Sequence, residues 1–587
     1  MLRKSAAIFI SLLLSVCCLT ACSGGTNDSS AVSGTSQTSQ ASQSSQASQT
    51  SSQSTQTSSD MFSDSDSKDV TGESADAEIT LTGSSGTISD TTRGSSGSEV
   101  TITSKGVYKV TGSSENVTIT INDTTKSGNI YLILDGVSMN NTSGTCINVE
   151  SCDKLIIQCS GQNTLTYSPS DTSTKADGAI YSKDDVTING SGSLNITSSL
   201  HGIVCKNDLK ITDSQLTVFA GSVGIKAGDS LRIGGGKISI TSGHDGVQLA
   251  NDDNTGSFYF EKAEMNITPG YDGISVKKGD DSKDFTGSVT LNGGTLSITT
   301  ASGSGSSGSK DSSTSQKGIK TDGTITINDT NLTVSSADDA IHGNSSIVIN
   351  SGTLELSSSD DGITASDSLT INGGTVKVTK SYEGLEGKEI TINGGNISIT
   401  SSDDGINTSG GSDTTQKNDD PWSSASTDAT LTINGGNVYV NSNGDGLDSN
   451  GSIYVTGGTV IVEGPSGSGN GAIDKGDGSG CVASITGGTV LTIGSTDMAV
   501  NFDTGTQCSA LVTLSGSEGT AITVDDGSDF SFTASKSFGC AVYSSPSMTQ
   551  GSTYTITAGS SSASIDFSSG LYYSDVSSMG GPGGGRP

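Results

Sequence analysis

From about Asp177 onward the chain repeats one short unit, and this repeat limits its fold more than any other feature. Each copy reads D-G-I, a brief loop, then (L/I/V)-T-I-N-G-G-(T/N)-(L/I/V)-x-(I/V); Ile371-Asn372-Gly373-Gly374-Thr375-Val376-Lys377-Val378 is a clean example. Aligned on the residue after the acid, the copies fall at Gly202, Gly224, Gly246, Gly273, Gly318, Ala340, Gly362, Gly384, Gly405 and Gly446. Most steps are 22 residues, and the longer ones carry insertions. Apolar residues recur at every second position and are broken by Asn-Gly or Gly-Gly, which is the period of strands and not of helices. A unit of this length with three short strands matches one three-sided coil of a parallel β-helix. Leucine-rich repeats lack this consensus, and propeller blades are longer and contain aromatics. The expected fold is all-β: a right-handed parallel β-helix with N- and C-terminal β caps, its coils stacked at about 4.8 Å.

Composition agrees with a shared core. Of 587 residues only 30% are hydrophobic and 4% aromatic, too few for several separate globular cores. The 62 acidic side chains outnumber the 29 basic ones, a formal net charge of −33. Such a surface repels nucleic acid and anionic headgroups and attracts divalent cations.

The N-terminus carries its own signals. Arg3 and Lys4 precede the apolar run Ala6–Leu14, and Leu19-Thr20-Ala21-Cys22 closes the segment. This reads as a signal peptide over 1–22 with a lipobox-like end, so that Cys22 is the expected lipidation site. The membrane is then a partner only through that anchor, and the location is the bacterial cell surface. Residues 23–77 are expected as a disordered Ser/Gln/Thr-rich spacer. An N-terminal cap with the first coils occupies 78–176, the repeats 177–494, a C-terminal β cap 495–575 and a flexible Gly-rich tail 576–587.

Two columns read as structural. The Asn of I-N-G-G (Asn189, Asn292, Asn328, Asn350, Asn372, Asn393, Asn434) suits a corner and a ladder of stacked amides. Beyond Cys22 an odd set of seven cysteines remains, without CxxC spacing; buried small side chains between coils are favoured over disulfides at the ends. Insertions at Asn251–Asn254, Lys277–Asp284 and Ser409–Asp428 all follow D-G-I, so stacking brings them to one edge.

The chemistry concentrates in the residues around each repeat Gly. Before it come Asp338-Asp339, Asp360-Asp361, Tyr382-Glu383, Asp403-Asp404 and Gly444-Asp445; two residues after it come Glu386, Asn407 and Asp448. An Asp-Gly turn explains one acid per coil. Doubled acids stacked at the inter-strand spacing oppose one another unless protonated or neutralised by metal, and this set of oxygens suits Ca²⁺ better than Mg²⁺. The three histidines, His201, His244 and His342, lie in different coils, so nucleophilic triads are unsupported. A lysine beside Ca²⁺ could act as base in β-elimination on a uronate, and Lys320 is the candidate for that alternative. Tyr382, Trp422 and Tyr439 are the candidate sugar-stacking aromatics.

The D-D-G-I…T-I-N-G-G repeats, the lipoprotein start and the end Ser544-Ser545-Pro546…Gly551-Ser552-Thr553-Tyr554 resemble the clostridial-type carbohydrate-binding β-helix family. That resemblance implies binding of cellulose or acidic sugars and a fold similar to Ca²⁺-dependent pectate lyases. It also implies calcium ligands at or near Asp338, Asp339, Asp360, Asp361, Glu383, Asp403, Asp404 and Asp445. The early coils depart from it, with His201, Val223 and Lys317 where the acid belongs. The resulting expectation is a monomeric cell-surface protein that binds polysaccharide through a calcium-loaded β-helix. A pectate-type lyase and an adhesin or wall spacer that recognises protein are the alternatives.

Overall fold

The repeat unit folds into three short strands, and each strand lies parallel on its counterpart in the next coil. In one coil these are Ile341–Gly343, Ser346–Ile349 and Thr353–Ser358. Their apolar positions stay in register from coil to coil, Ile319↔Ile341↔Ile363 in the first sheet, Ile325↔Ile347↔Leu369 in the second, Leu332↔Leu354↔Val376 in the third, with a slip between Leu356 and Ser357 at the end of the third strand. The computed structural model describes residues 61–173, 175–305, 314–409, 428–467 and 469–574. Cys22, Trp422, the Gly-rich tail and most of the Ser409–Asp428 insertion lie outside the described residues.

Alternation along each strand builds the core. Ile341, Ile347, Ile349, Leu354 and Leu356 point inward with no measurable exposure, as do their counterparts in neighbouring coils. Each such side chain contributes about 1.5–3 kcal/mol of burial, so a few per coil hold the stack together. Parallel pairing begins well before the regular repeat, where Ala77–Gly83 lies on Gly106–Glu115. At the far end Phe538–Ser544 pairs antiparallel with both Thr489–Gly494 and Ser509–Gly516, and a four-stranded sheet follows. This end has a core of its own, including Leu514, Ile522, Tyr543 and Phe567.

At the corner the Gly two residues after the Asn carries the left-handed backbone, with φ of +104° at Gly352 of Asn350-Ser351-Gly352 and +85°, +95° and +85° at Gly374, Gly395 and Gly436 of the N-G-G corners. The Asn does a different job. Each amide donates to the Asn of the preceding coil, from Asn350 to Asn328 at 2.9 Å, Asn372 to Asn350 at 2.8 Å and Asn393 to Asn372 at 2.8 Å. The seven cysteines from Cys146 to Cys540 are all free and buried, which is the packing role.

The spacer expected through residue 77 ends earlier. Residues 61–76 lie on the outer face of the second sheet, because one buried carboxylate gathers partners from several coils. Asp66 has no exposure and meets Lys154 at 3.0 Å, Lys210 at 3.1 Å and Thr187 at 2.7 Å. Its backbone carbonyl accepts from Asn189 and Thr212. Val70 is buried and its N–H donates to Gln158, while the Phe62 ring meets that of Tyr259 at 6.4 Å. Burial alone would raise the Asp66 pKa, but the Ser63 N–H, Thr187 and Lys154 hold it well below the usual carboxylate range.

Two substitutions test these contacts. Asp66→Ala leaves two lysines without their acid and should cost about 3–5 kcal/mol, as broken buried pairs do; limited proteolysis should then cut at 61–76 first. Gly395→Ala forces an L side chain to φ +95° and sets its Cβ 2.8 Å from the Gly374 carbonyl. Chemical denaturation should show a loss of at least about 1–2 kcal/mol.

Candidate functional site

Register turns the residues around each repeat Gly into columns along the first sheet. The position two residues after that Gly reads Gln248, Ser275, Lys320, His342, Thr364, Glu386, Asn407, Asp448 and Asp474 in successive coils. The position just before it reads Asp245, Asp272, Lys317, Asp339, Asp361, Glu383, Asp404 and Asp445, fixed by Gly or Ala N–H groups that each bond the next coil's carbonyl in this column. These strands face outward into a recess: His342 and Thr364 are each only 2% exposed, Gln248 and Asn407 each 8%. Polar side chains buried on an outer sheet face need partners, which makes this the place to look for chemistry.

In most of these coils one oxygen of the corner acid is a structural acceptor. It takes the backbone N–H of the same position in the next coil: Asp272 to Asp245 at 3.3 Å, Lys317 to Asp272 at 2.8 Å, Asp361 to Asp339 at 3.2 Å, Glu383 to Asp361 at 3.0 Å and Asp445 to Asp404 at 2.6 Å. His201, which departs from the acidic pattern, does the same with Nδ1 for the Val223 N–H at 3.1 Å. The single acid per coil is therefore explained by coil-to-coil bonding, and only the second oxygen and the additional acids remain for another role.

The two ends of the acidic stretch differ. At the upstream end Asp338, Asp339 and Asp360 bring carboxylate oxygens within 4.8 Å of one another. A cation is already there: Lys317 Nζ lies 2.6 Å from Asp339 and 3.2 Å from Asp338. His342 Nδ1 reaches Asp339 at 2.8 Å, and its Nε2 lies 2.8 Å from Asn344. Burial works against the charge on Asp339, yet Lys317 and His342 hold its pKa well below the usual range.

Downstream the balance reverses. Burial first, and neighbouring carboxylates second, raise Asp361 well above its ordinary value and push Glu383 up to about 8 and Asp448 to about 8. Asp404 rises to about 6 and Asp445 to about 7, again chiefly through burial. The charges acting on these five groups are those of other acids, Glu386, Asp403 and Asp474 among them. Two buried oxygens of this stretch have no hydrogen-bond partner among the described residues, Asn407 Oδ1 and Thr364 Oγ1. The other end of the Asn407 amide is fixed, since Nδ2 donates to Glu383 at 3.0 Å. Ser409 donates to Glu386 at 3.3 Å. A site with only oxygen atoms, surplus negative charge and an orphaned amide carbonyl fits a hard divalent cation.

The remaining candidates scatter. Tyr382 is 48% exposed, and its phenol, hydrogen-bonded to Asp403, is held above the usual range. Tyr439 points outward but donates to the fully buried Glu463 at 2.6 Å and packs 6.3 Å from Phe532 of the C-terminal region, so it ties that region to the coils. Lys320 sits in the outer column one coil before His342, with Nζ 3.4 Å from Ser315. The first two insertions interlock, Asn254 donating to the Asp280 and Lys283 carbonyls. Sequence reasoning missed Asp245 and Asp272, 2% and 5% exposed, whose signal was present in the triplets His244-Asp245-Gly246 and Tyr271-Asp272-Gly273. It also treated Lys317 only as a gap in the acidic pattern.

The profile of a family described as carbohydrate-binding domain-containing protein matches residues 96–362 and 358–527. A protein of Acetivibrio thermocellus with the same description is 36% identical over 132 residues, which is 21% of this chain and 45% of that protein. The match thus spans about half the relative's length. A solved structure of a polysaccharide lyase-like protein from C. thermocellum, a gadolinium derivative, aligns over 44% of this chain and 96% of its own at 26% identity, with a TM-score of 0.33.

The raised carboxylates set a pH dependence for the protein without divalent cations. Their folded values lie above the unfolded values near 4, so the folded state holds protons that the unfolded chain has released. Stability should fall as pH rises from about 4 to about 8 and then level off. Thermal midpoints in chelator across this range check it; Glu383→Gln should flatten the slope, and a midpoint that climbs with pH would contradict the assignment.

Proposed function

Since the chain belongs to the family of carbohydrate-binding domain-containing proteins, we propose that it binds an acidic polysaccharide at the bacterial cell surface through calcium held on the first sheet. The observation that carries this reading is the unpartnered Asn407 Oδ1 beside buried carboxylates with raised pKa values. Asp361, Glu383, Glu386, Asp404, Asn407 and Asp448 would hold the metal, with Asp445 and Asp403 at the margin. Bound calcium would supply positive charge to a stretch where the charges acting on Asp361, Glu383, Asp404, Asp445 and Asp448 are those of other acids. Without it, a protein of net charge −33 repels a polyuronate.

The chain's own groups prepare that site. The coil register spaces the carboxylates, the Glu383–Asn407 bond aims the amide carbonyl, and the recess keeps water from screening the charges. Tyr382, exposed at the rim in the same stretch, is placed to lie against a sugar ring. The signal peptide and Cys22 would export and anchor the protein, with residues 23–60 between the lipid and the folded part.

Retention on a pectate column tests the proposal. Binding should require Ca²⁺ and vanish in EDTA; undiminished retention in EDTA would refute it. Calcium at about a hundredfold its Kd should stabilise the fold by about 2.7 kcal/mol per site. Asn407→Ala should weaken calcium binding about tenfold or more, the scale on which supporting residues of metal sites act. Unsaturated uronate released from the column would point instead to lyase activity, and Lys320→Ala would then be the variant that abolishes it.

A further inference from the structure

The acidic stretch does not end where its metal-binding part ends. Asp338, Asp339 and Asp360 place oxygens within 4.8 Å of one another, a separation that one divalent cation with oxygen ligands could bridge. Asp339 is 2% exposed and Asp360 8%, so this cluster is as deep as those downstream. What separates it is one residue. In the column just before the repeat Gly, every coil from Asp245 to Asp445 carries an acid except the coil of Lys317. That side chain is 3% exposed, with its ammonium 2.6 Å from Asp339 and 3.2 Å from Asp338.

We propose that Lys317 is a built-in substitute for a metal ion: its ammonium fills a divalent-cation site made by Asp338, Asp339 and Asp360, and removing it opens that site. The acidic stretch then carries one permanent cation at its upstream end and exchangeable cations beyond it. Coils there stay neutralised when metal is stripped, while the coils from Asp361 onward do not. A lysine suits this role, because an amine on a flexible stem delivers a compact point charge to a buried acid without needing a ligand from solution. The location of the boundary follows from the chain: past Lys317 the column continues as Asp339, Asp361, Glu383, Asp404 and Asp445, with no further lysine in it.

Counting bound ions tests the substitution, with Ca²⁺ alone as the probe. Titration calorimetry of Lys317→Met should give one more bound Ca²⁺ per chain than the unaltered protein, and Lys317→Arg should give no more. A folded Lys317→Met with unchanged stoichiometry overturns the proposal, whereas a variant that folds only when Ca²⁺ is present supports it. Should Lys317→Met fold under neither condition, Asp338→Asn decides in the otherwise unaltered chain. The number of bound ions should stay the same, because an amine already fills the site, and loss of one ion overturns the idea. This extends the calcium reading but fails separately from it. No Ca²⁺ on the unaltered protein would refute the downstream sites, and an ion gained by Lys317→Met would still stand.

Discussion

Strict parallel register is the constraint on which everything else in this protein depends. Stacking coils of nearly constant length turns each sequence position into a column of near-identical side chains at about 4.8 Å. Apolar columns become a continuous core at low cost in sequence, which is how a chain with 30% hydrophobic residues sustains one. The same geometry is unforgiving of charge. An acid repeated in register meets its own copies above and below, at distances where the interaction in a dry recess is large.

The protein answers that repulsion in two ways along one sheet. Most corner acids first commit an oxygen to a backbone N–H of the next coil, so the charge is partly held by the chain, as between Asp361 and Glu383. What remains is balanced upstream by Lys317 and His342 and left unbalanced downstream, where the carboxylates become reluctant to ionise. An uncompensated buried acid costs stability, and its repetition over several coils is relieved either by protonation or by a bound cation. That is the physical argument for a cation, and it holds independently of the kinship to carbohydrate-binding proteins.

Much of this was legible in the sequence, for a definite reason. In a solenoid, contacts in space are contacts at a fixed sequence offset, so Asn350, Asn372 and Asn393 announce their ladder and the Asp-Gly units announce their column. The illegible parts are those that break the offset. Residues 61–76 look like more of the polar spacer, because nothing local shows that Asp66 will meet Lys154 and Lys210, far along the chain. Tyr439 reads as an open platform until the C-terminal region comes back to place Phe532 beside it. Asp245 and Asp272 also occupy the column, but as single acids before an aligned Gly they read as no more than turn residues.

The dual use of the corner acids also shows why pattern alone could not settle their role. An Asp before Gly is required by the coil whether or not an ion binds, since some acceptor must meet the next N–H; His201 serves as well as an acid. The discriminating signal is therefore not the acid but its surplus, and surplus is visible only when partners are counted. Asn407 makes the point. As a sequence feature it is one polar residue in a polar repeat. In the fold it is a buried amide with its nitrogen bound to Glu383 and its oxygen without a partner among the described residues. Leaving an acceptor unsatisfied in this way costs about 1–3 kcal/mol. A position that carries such a cost beside raised carboxylates presents the oxygen donors that a hard cation takes.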